Sequence, residues 1–267
     1  RVFGFILRSR KWASLHVDPL KPVKEDKYGF DRLKINAVHK SVIQGLVQTH
    51  YGGRSTDTQE EDGYGFDIVQ AKGKGLIILL HGAPGVGKTS TAECVAALYA
   101  KTLFPITCDD LGMTPSEVEE HLDFNFQLAE SWGYVLLLDD ADVFLAERGH
   151  SDVKRNALVS VFLRALEYYR GIRFLTTNRV GTIDEAFKSR IHVRLLYGTL
   201  DWAQIQAIWE SYIDKLISQG RVETNKTSIV AYAEELYNRQ AANNAKNQWN
   251  GRQLRNAFQT AVAIAEY

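Results

Sequence analysis

Residues 76–89 read Leu-Ile-Ile-Leu-Leu-His-Gly-Ala-Pro-Gly-Val-Gly-Lys-Thr. Five consecutive apolar residues, Leu76 to Leu80, mark a short strand buried on both faces. The next eight, Gly82 to Thr89, complete the pattern G-x-x-x-x-G-K-T, and a helical run from Thr89 to Lys101 follows. A buried strand, a glycine-rich turn and a helix in this order constrain the fold more than any other feature of the chain. Gly82, Gly85 and Gly87 let the backbone curl so that its N–H groups point inward at an anion. The helix N-terminus adds a partial positive charge. Lys88 reaches the β- and γ-phosphates of a nucleotide, and the Thr89 hydroxyl is a ligand for Mg²⁺. With Ala83, Pro84, Val86 and Ser90, these residues make a candidate phosphate loop whose cofactors are ATP and Mg²⁺.

A second buried run, Tyr134 to Leu138, ends in Asp139-Asp140-Ala-Asp142. A strand parallel to the first delivers a carboxylate beside the phosphate loop. Asp139 then serves the Mg²⁺ shell together with Thr89, and Asp140 orients or deprotonates the attacking water. Asp142 structures the loop.

Further short apolar runs at Leu103 to Thr107, Ile172 to Leu175 and His192 to Leu196 bring the strands to five. Helices at Pro115 to Ser131 and Asn156 to Tyr169 lie between them. Strands alternating with helices predict an α/β fold with a parallel sheet of five strands flanked by helices. After Gly198 the strands stop, and Trp202–Ser218, Ile229–Asn238 and Gly251–Tyr267 read as three helices forming a small all-helical lid. Upstream, Val2 to Leu7 has strand character and Asp31 to His50 has helical spacing. Residues 51–65 are a polar, glycine-containing linker. The expected organisation is a flanking segment and linker over 1–65, a large α/β subdomain over 66–198 and a helical lid over 199–267.

Formal net charge is zero, with 32 basic and 32 acidic side chains. A dedicated nucleic-acid binder would carry a basic excess, so nucleic acid is disfavoured as a partner. Charge is nonetheless segregated. Residues 1–40 hold ten basic and four acidic side chains, residues 109–152 one and twelve, and residues 153–195 nine and three. Complementary faces of this kind suit a head-to-tail ring, which needs two different surfaces on each protomer. Two cysteines, Cys94 and Cys108, make neither a disulfide framework nor a zinc site, and point to an intracellular, reducing compartment such as cytoplasm or nucleus. No run is long and apolar enough to span a membrane. The chain begins at Arg1 and ends within a helical run, and reads as part of a longer protein. His81 and the five tryptophans read as packing residues.

Three motifs together, the phosphate loop, Leu-Leu-Leu-Asp139-Asp140-Ala-Asp142 and Phe174-Leu-Thr-Thr-Asn178-Arg, resemble those of AAA+ ATPases. The stretches Asp139–Leu145, Arg155–Arg164 and Glu167–Tyr169 are similar to a mostly uncharacterised filamentous-fungal group of that family. The resemblance covers about residues 66 to 267. It implies that Asn178 is the sensor 1 residue that positions the attacking water. Arg190 falls where an arginine finger acts on the neighbouring subunit's nucleotide, a contribution of about 10³–10⁵ in rate. Arg252 falls at the sensor 2 arginine of the lid and touches phosphate in cis. Ile68 and Val69 flank the adenine. The implied function is ATP hydrolysis that remodels a protein or protein complex in a self-associated ring, a hexamer by resemblance, with the protein substrate unidentified.

Two departures stand out. Asp140 occupies the position where the family carries glutamate, and a base one methylene shorter is placed differently. The alternative reading is therefore a nucleotide-gated scaffold with little hydrolysis. The segment matching the aromatic pore loop of threading members is Asp110-Leu-Gly-Met-Thr114, which leaves Leu111 and Met113 as the available grip on a peptide. A nucleic-acid motor and a small-molecule phosphate-loop kinase are further classes, and the kinase has no use for an arginine acting in trans.

Overall fold

A computed structural model describes residues 1–7, 9–22, 28–52, 75–145, 153–179, 183–220, 225–243 and 248–267. The chain opens with a hairpin, β1 (Val2–Ile6) and β2 (Lys11–Leu15), paired antiparallel with Val2 opposite Leu15. Sequence periodicity marks β1 alone, because β2, equally long, mixes Lys11 and Ser14 with its apolar residues and does not stand out. Tertiary contact decides it: Phe5, Trp12 and Trp132 meet edge to face at centroid distances of 5.4–6.0 Å. Arg10, at φ 52, donates to the Pro105 carbonyl at 2.9 Å and pairs with Asp110.

A single helix over residues 31–50 is replaced by two. A short α1 (Gly29–Arg32) and α2 (Ala37–Gly52) are separated by an extended stretch. The Asn36 side chain accepts the Val38 N–H at 2.8 Å, which starts α2 later than its apolar spacing suggests.

The remaining elements alternate. They are β3 (Leu76–Gly82), α3 (Lys88–Leu98), β4 (Leu103–Thr107), α4 (Pro115–Ser131), β5 (Val135–Asp139), α5 (Asp142–Leu145) and α6 (Val153–Tyr168). Then come β6 (Ile172–Thr177), α7 (Glu185–Lys188) and β7 (Val193–Tyr197). The sheet is parallel throughout, in the order β4-β5-β6-β3-β7. Its central strand β3 shows why the apolar run is continuous. Ile77 and Leu79 face the cluster under α4 and α6, while Leu76, Ile78 and Leu80 face the cluster under α2 and α3. Both faces are covered, so alternation has no polar phase. Thr114 caps α4, accepting the Glu117 N–H while the Glu117 carboxylate receives the Thr114 N–H, and Pro115 sits at the first helical position.

Three helices follow: α8 (Trp202–Ser218), α9 (Lys226–Asn243) and α10 (Gly251–Glu266). They pack around Leu200, Ile205, Trp209, Ala233 and Leu254, with Phe258 edge to face on Trp209 at 4.7 Å. The five-stranded parallel sheet with flanking helices and a helical lid is the fold read from the sequence.

One expectation is overturned. Leu111 is fully buried in the core under α4, so it offers no grip to a peptide. Asp110 accepts from both the Thr107 N–H and hydroxyl, at 2.8 and 2.7 Å, and this turn folds Leu111 inward. Met113, 89% exposed, is left alone at the tip.

Candidate functional site

The carboxyl ends of β3, β5 and β6 converge on a cleft of about 510 Å³ between the sheet and the lid. That is the size range of small-molecule and cofactor sites. Its floor is the phosphate loop. Gly82, at φ 144, leaves no room for a Cβ, which would fall 2.0 Å from the Tyr197 carbonyl oxygen. Gly85, at φ 75, faces the lid: a Cβ there would lie 2.5 Å from Asn250 Oδ1. The Gly251 N–H donates to the Gly85 carbonyl at 2.9 Å, so α10 begins on the phosphate loop itself.

Lys88 is buried. Its ammonium donates to the carbonyls of Gly82 and Ala83 at 2.8 and 2.7 Å and to Asn178 Oδ1 at 2.9 Å. Burial lowers its pKa, opposed by the negative charges of Asp140, Asp139 and Asp142. The Asn178 Nδ2 donates in turn to Asp140 Oδ1 at 2.7 Å. Asn178 thus ties the loop lysine to Asp140, the carboxylate that follows β5. The Thr89 hydroxyl donates to both Asp139 oxygens, at 3.1 and 3.2 Å.

The ends of β6 and β5 interlock residue by residue. The Thr176 hydroxyl donates to Asp139 and accepts the Asp140 N–H at 3.0 Å, and the Thr176 carbonyl accepts the Ala141 N–H at 2.9 Å. The Thr177 hydroxyl donates to Asp142, which also accepts the Asn178 N–H at 3.1 Å. Asp140 takes a left-handed backbone, φ 53, a region aspartate and asparagine enter more readily than longer side chains. The Cys108 thiol donates to the Asp140 carbonyl at 3.2 Å, and burial first, then the charges of Asp109, Asp142 and Asp140, push its pKa up to about 11.

Thr89 and Asp139 present hard oxygens to one point, the donor set Mg²⁺ prefers. Among the described residues no group of three or more His, Cys, Asp or Glu gathers to hold a metal unaided.

The structure brings Lys88, Thr89, Ser90, Asp139, Asp140, Asn178 and Arg252 to one cleft. Arg190 stands apart. It pairs with Glu167 on α6 and donates to the Ala186 carbonyl at 2.8 Å. Ile68 and Val69 lie outside the described residues. Leu33 and Ile35, from the stretch between α1 and α2, and Leu200 and Ile208 of the lid bring apolar side chains to the cleft. Sequence reading missed all four, and Asn36, a helix-start residue just after Ile35, was the available hint. It also missed Glu93 and Arg255, on α3 and α10, which line the same cleft. Burial raises the Glu93 pKa, as does Asp139, while Arg255 opposes the rise.

Comparison with known proteins places this geometry. Residues 78–199 match the family model described as ATPase family associated with various cellular activities (AAA), and residues 200–267 match the fungal AAA+ ATPase lid domain. Lon protease 1 of Borreliella burgdorferi is 24% identical over 247 residues, covering 80% of this chain and 29% of that protein. The human ATPase family gene 2 protein homolog B is 29% identical over 157 residues, covering 55% of this chain and 21% of its own length. The chain spans under a third of the length of these curated relatives. Among solved structures, the FIGL-1 AAA domain aligns at TM-score 0.53 and 23% identity, covering 72% of this chain and 62% of that one. A chain of the E. coli MS115-1 HORMA:CdnC:Trip13 complex aligns at 0.56 and 20%, covering 79% and 76%. At these identities the structures speak for the fold alone. The two family models run without a gap from residue 78 to residue 267, and the chain carries an AAA ATPase domain with a lid of the fungal AAA+ type.

Proposed function

We propose that this chain is an ATP-hydrolysing module that remodels a protein or protein complex as a self-associated ring, a hexamer by family resemblance. The observation that carries the reading is the chain of contacts Lys88–Asn178–Asp140 beside Thr89–Asp139. It supports the reading by bringing to one phosphate loop an ammonium, a hydroxyl, an amide and two carboxylates, the groups such chemistry calls for. Thr89 and Asp139 would hold Mg²⁺, which when bound neutralises charge on the phosphate oxygens. Lys88 exchanges its carbonyl partners for phosphate oxygens. Asn178, released from Lys88, orients water toward the γ-phosphorus, and Asp140 accepts its proton as the P–O bond to ADP breaks. Arg252 reaches phosphate from the lid. Arg190, outside the cleft lining, serves the neighbouring subunit.

The module boundaries proposed are a flanking segment to residue 65, the nucleotide-binding core to 198 and the lid beyond. Among the described residues no helix is long and apolar enough to cross a membrane.

The test is Mg²⁺-dependent ATP hydrolysis per subunit across protein concentration. A specific activity that rises with concentration supports sites completed between subunits. A concentration-independent rate overturns the ring reading. A second reading, a nucleotide-gated scaffold with little turnover, is favoured by one observation: Asp140 is short and its Oδ1 is held by Asn178. Nucleotide binding with negligible hydrolysis at every concentration would select it.

A further inference from the structure

We propose that Thr176 is a positioning residue, whose one hydroxyl sets both the carboxylate of Asp139 and the left-handed backbone of Asp140. The inference rests on the reading of an Mg²⁺–nucleotide site and deepens it.

Thr176 is wholly buried at the end of β6. A threonine hydroxyl has one proton to give and lone pairs to receive. Here the Asp140 N–H occupies a lone pair at 3.0 Å, and the proton goes to Asp139 Oδ1. Each bond fixes the direction of the other. Asp139 Oδ1 also accepts from Thr89 at 3.1 Å, so two hydroxyls from different elements orient one carboxylate. A carboxylate held this way meets a cation without first being reoriented.

The second half of the arrangement is the backbone. Asp140 turns to φ 53 immediately after the strand, and the Thr176 hydroxyl and carbonyl accept the Asp140 and Ala141 N–H groups in succession. Together they hold the turn that sends Asp140 toward Asn178. An apolar side chain of the same shape would leave the Asp140 N–H without this acceptor and Asp139 without this donor. The two carboxylates, one facing the cation and one facing water, therefore share a single pivot.

The experiment compares Thr176→Val, isosteric without the hydroxyl, with Thr176→Ser, which keeps it. The probes are mant-ADP in EDTA, and Mn²⁺ titrated into the mant-ADP complex by electron paramagnetic resonance. Thr176→Val is expected to bind mant-ADP in EDTA as the parent does, but to take up Mn²⁺ about tenfold more weakly, the scale of one lost charge-assisted hydrogen bond. Thr176→Ser should return Mn²⁺ affinity to within about twofold of the parent. Parent-like Mn²⁺ affinity in Thr176→Val overturns the proposal, and so does a serine variant as weak as the valine one, which would mean packing alone. If Thr176→Val does not fold, Thr176→Ala is read by the same titrations. A parent protein that takes up no Mn²⁺ with nucleotide overturns the site reading and this proposal together, an outcome distinct from either variant result.

Discussion

Arg190 and Glu167 form an ion pair within one chain, joining the turn after α7 to α6. The side chains are 29% and 26% exposed, so neither is fully solvated. An arginine that serves a neighbouring nucleotide must exchange this partner for phosphate. Releasing a partly exposed pair of this kind costs about 1 kcal/mol. Glu167→Gln is therefore expected to lower, about fivefold, the protein concentration giving half-maximal specific ATPase activity. Arg190→Ala should cut hydrolysis by about 10³ or more while leaving nucleotide affinity unchanged. Mixed assemblies of parent and Arg190→Ala protein, assayed against mixing ratio, check whether the residue acts across the interface.

The backbone of Asp140 makes a second prediction. Asp140→Asn keeps a side chain that tolerates φ 53 and removes the base, so nucleotide binding should persist while hydrolysis falls at least about a hundredfold. Asp140→Glu puts the family's usual residue on a backbone that suits it less well, at a cost of about 1 kcal/mol. Its Tm is expected to drop by about 3 °C, with no gain in turnover over the parent. A sharp rise in kcat without loss of Tm would contradict this account.

Cys108 should be a sluggish thiol. Burial and three aspartates push it from 9.0 to about 11, which at pH 8 leaves about one-hundredth of the ordinary thiolate. In a Cys94→Ser background, iodoacetamide should react about a hundredfold more slowly than with a free thiol. The rate should keep rising with pH until about 11.

The N-terminal hairpin is fastened by Arg10 to Asp110. Burial raises the Asp110 pKa, but hydrogen bonds from Arg10 and Thr107 outweigh it and hold the group at about 2. A depressed carboxylate contributes stability that is complete above its unfolded pKa of about 3.8 and is lost as pH falls through about 2. Near neutral pH the pair is intact. Arg10→Met should then speed hydrogen exchange in Val2–Ile6 and Lys11–Leu15 and change Trp12 and Trp132 fluorescence, while exchange in Leu76–Gly82 stays unchanged.

Arg173 offers a different test. It is 1% exposed, lies over the Tyr169 and Phe126 rings, and burial lowers its pKa to about 9. For a base whose folded pKa falls below its unfolded value, stability is gained as pH rises through the folded pKa. Arg173→Met should accordingly be neutral or stabilising in urea at pH 7, and Arg173→Ala destabilising by about 2 kcal/mol through the cavity it leaves.

Much of the fold was legible because its strands are buried on both sides. Leu76–Leu80 and Val135–Leu138 need no alternation to be recognised, and Thr114, Asp201 and Asn250 each cap a helix with Glu117, Gln204 or Gln253 three residues on. The phosphate loop and Asp139 announce themselves by local spacing. What escaped was non-local. Leu33 and Ile35 reach the cleft from more than forty residues before Gly82, and their apolar character was spent on an overlong helix. Leu111 was read from its place after β4, whereas Asp110 turns it into the core. The lock between Thr176 and Asp139 joins residues 37 apart, and neither segment signals the other.

The hydrogen bond from Gly251 to Gly85 gives α10 a fulcrum. Its 16 residues make a rod of about 24 Å, and a pivot of about 10° at the phosphate loop carries the far end through about 4 Å. Ile264, on its last turn, is exposed. A shift of the loop at Gly85 would thereby be multiplied along the helix, delivered by a stiff arm rather than by a chain of intermediate contacts.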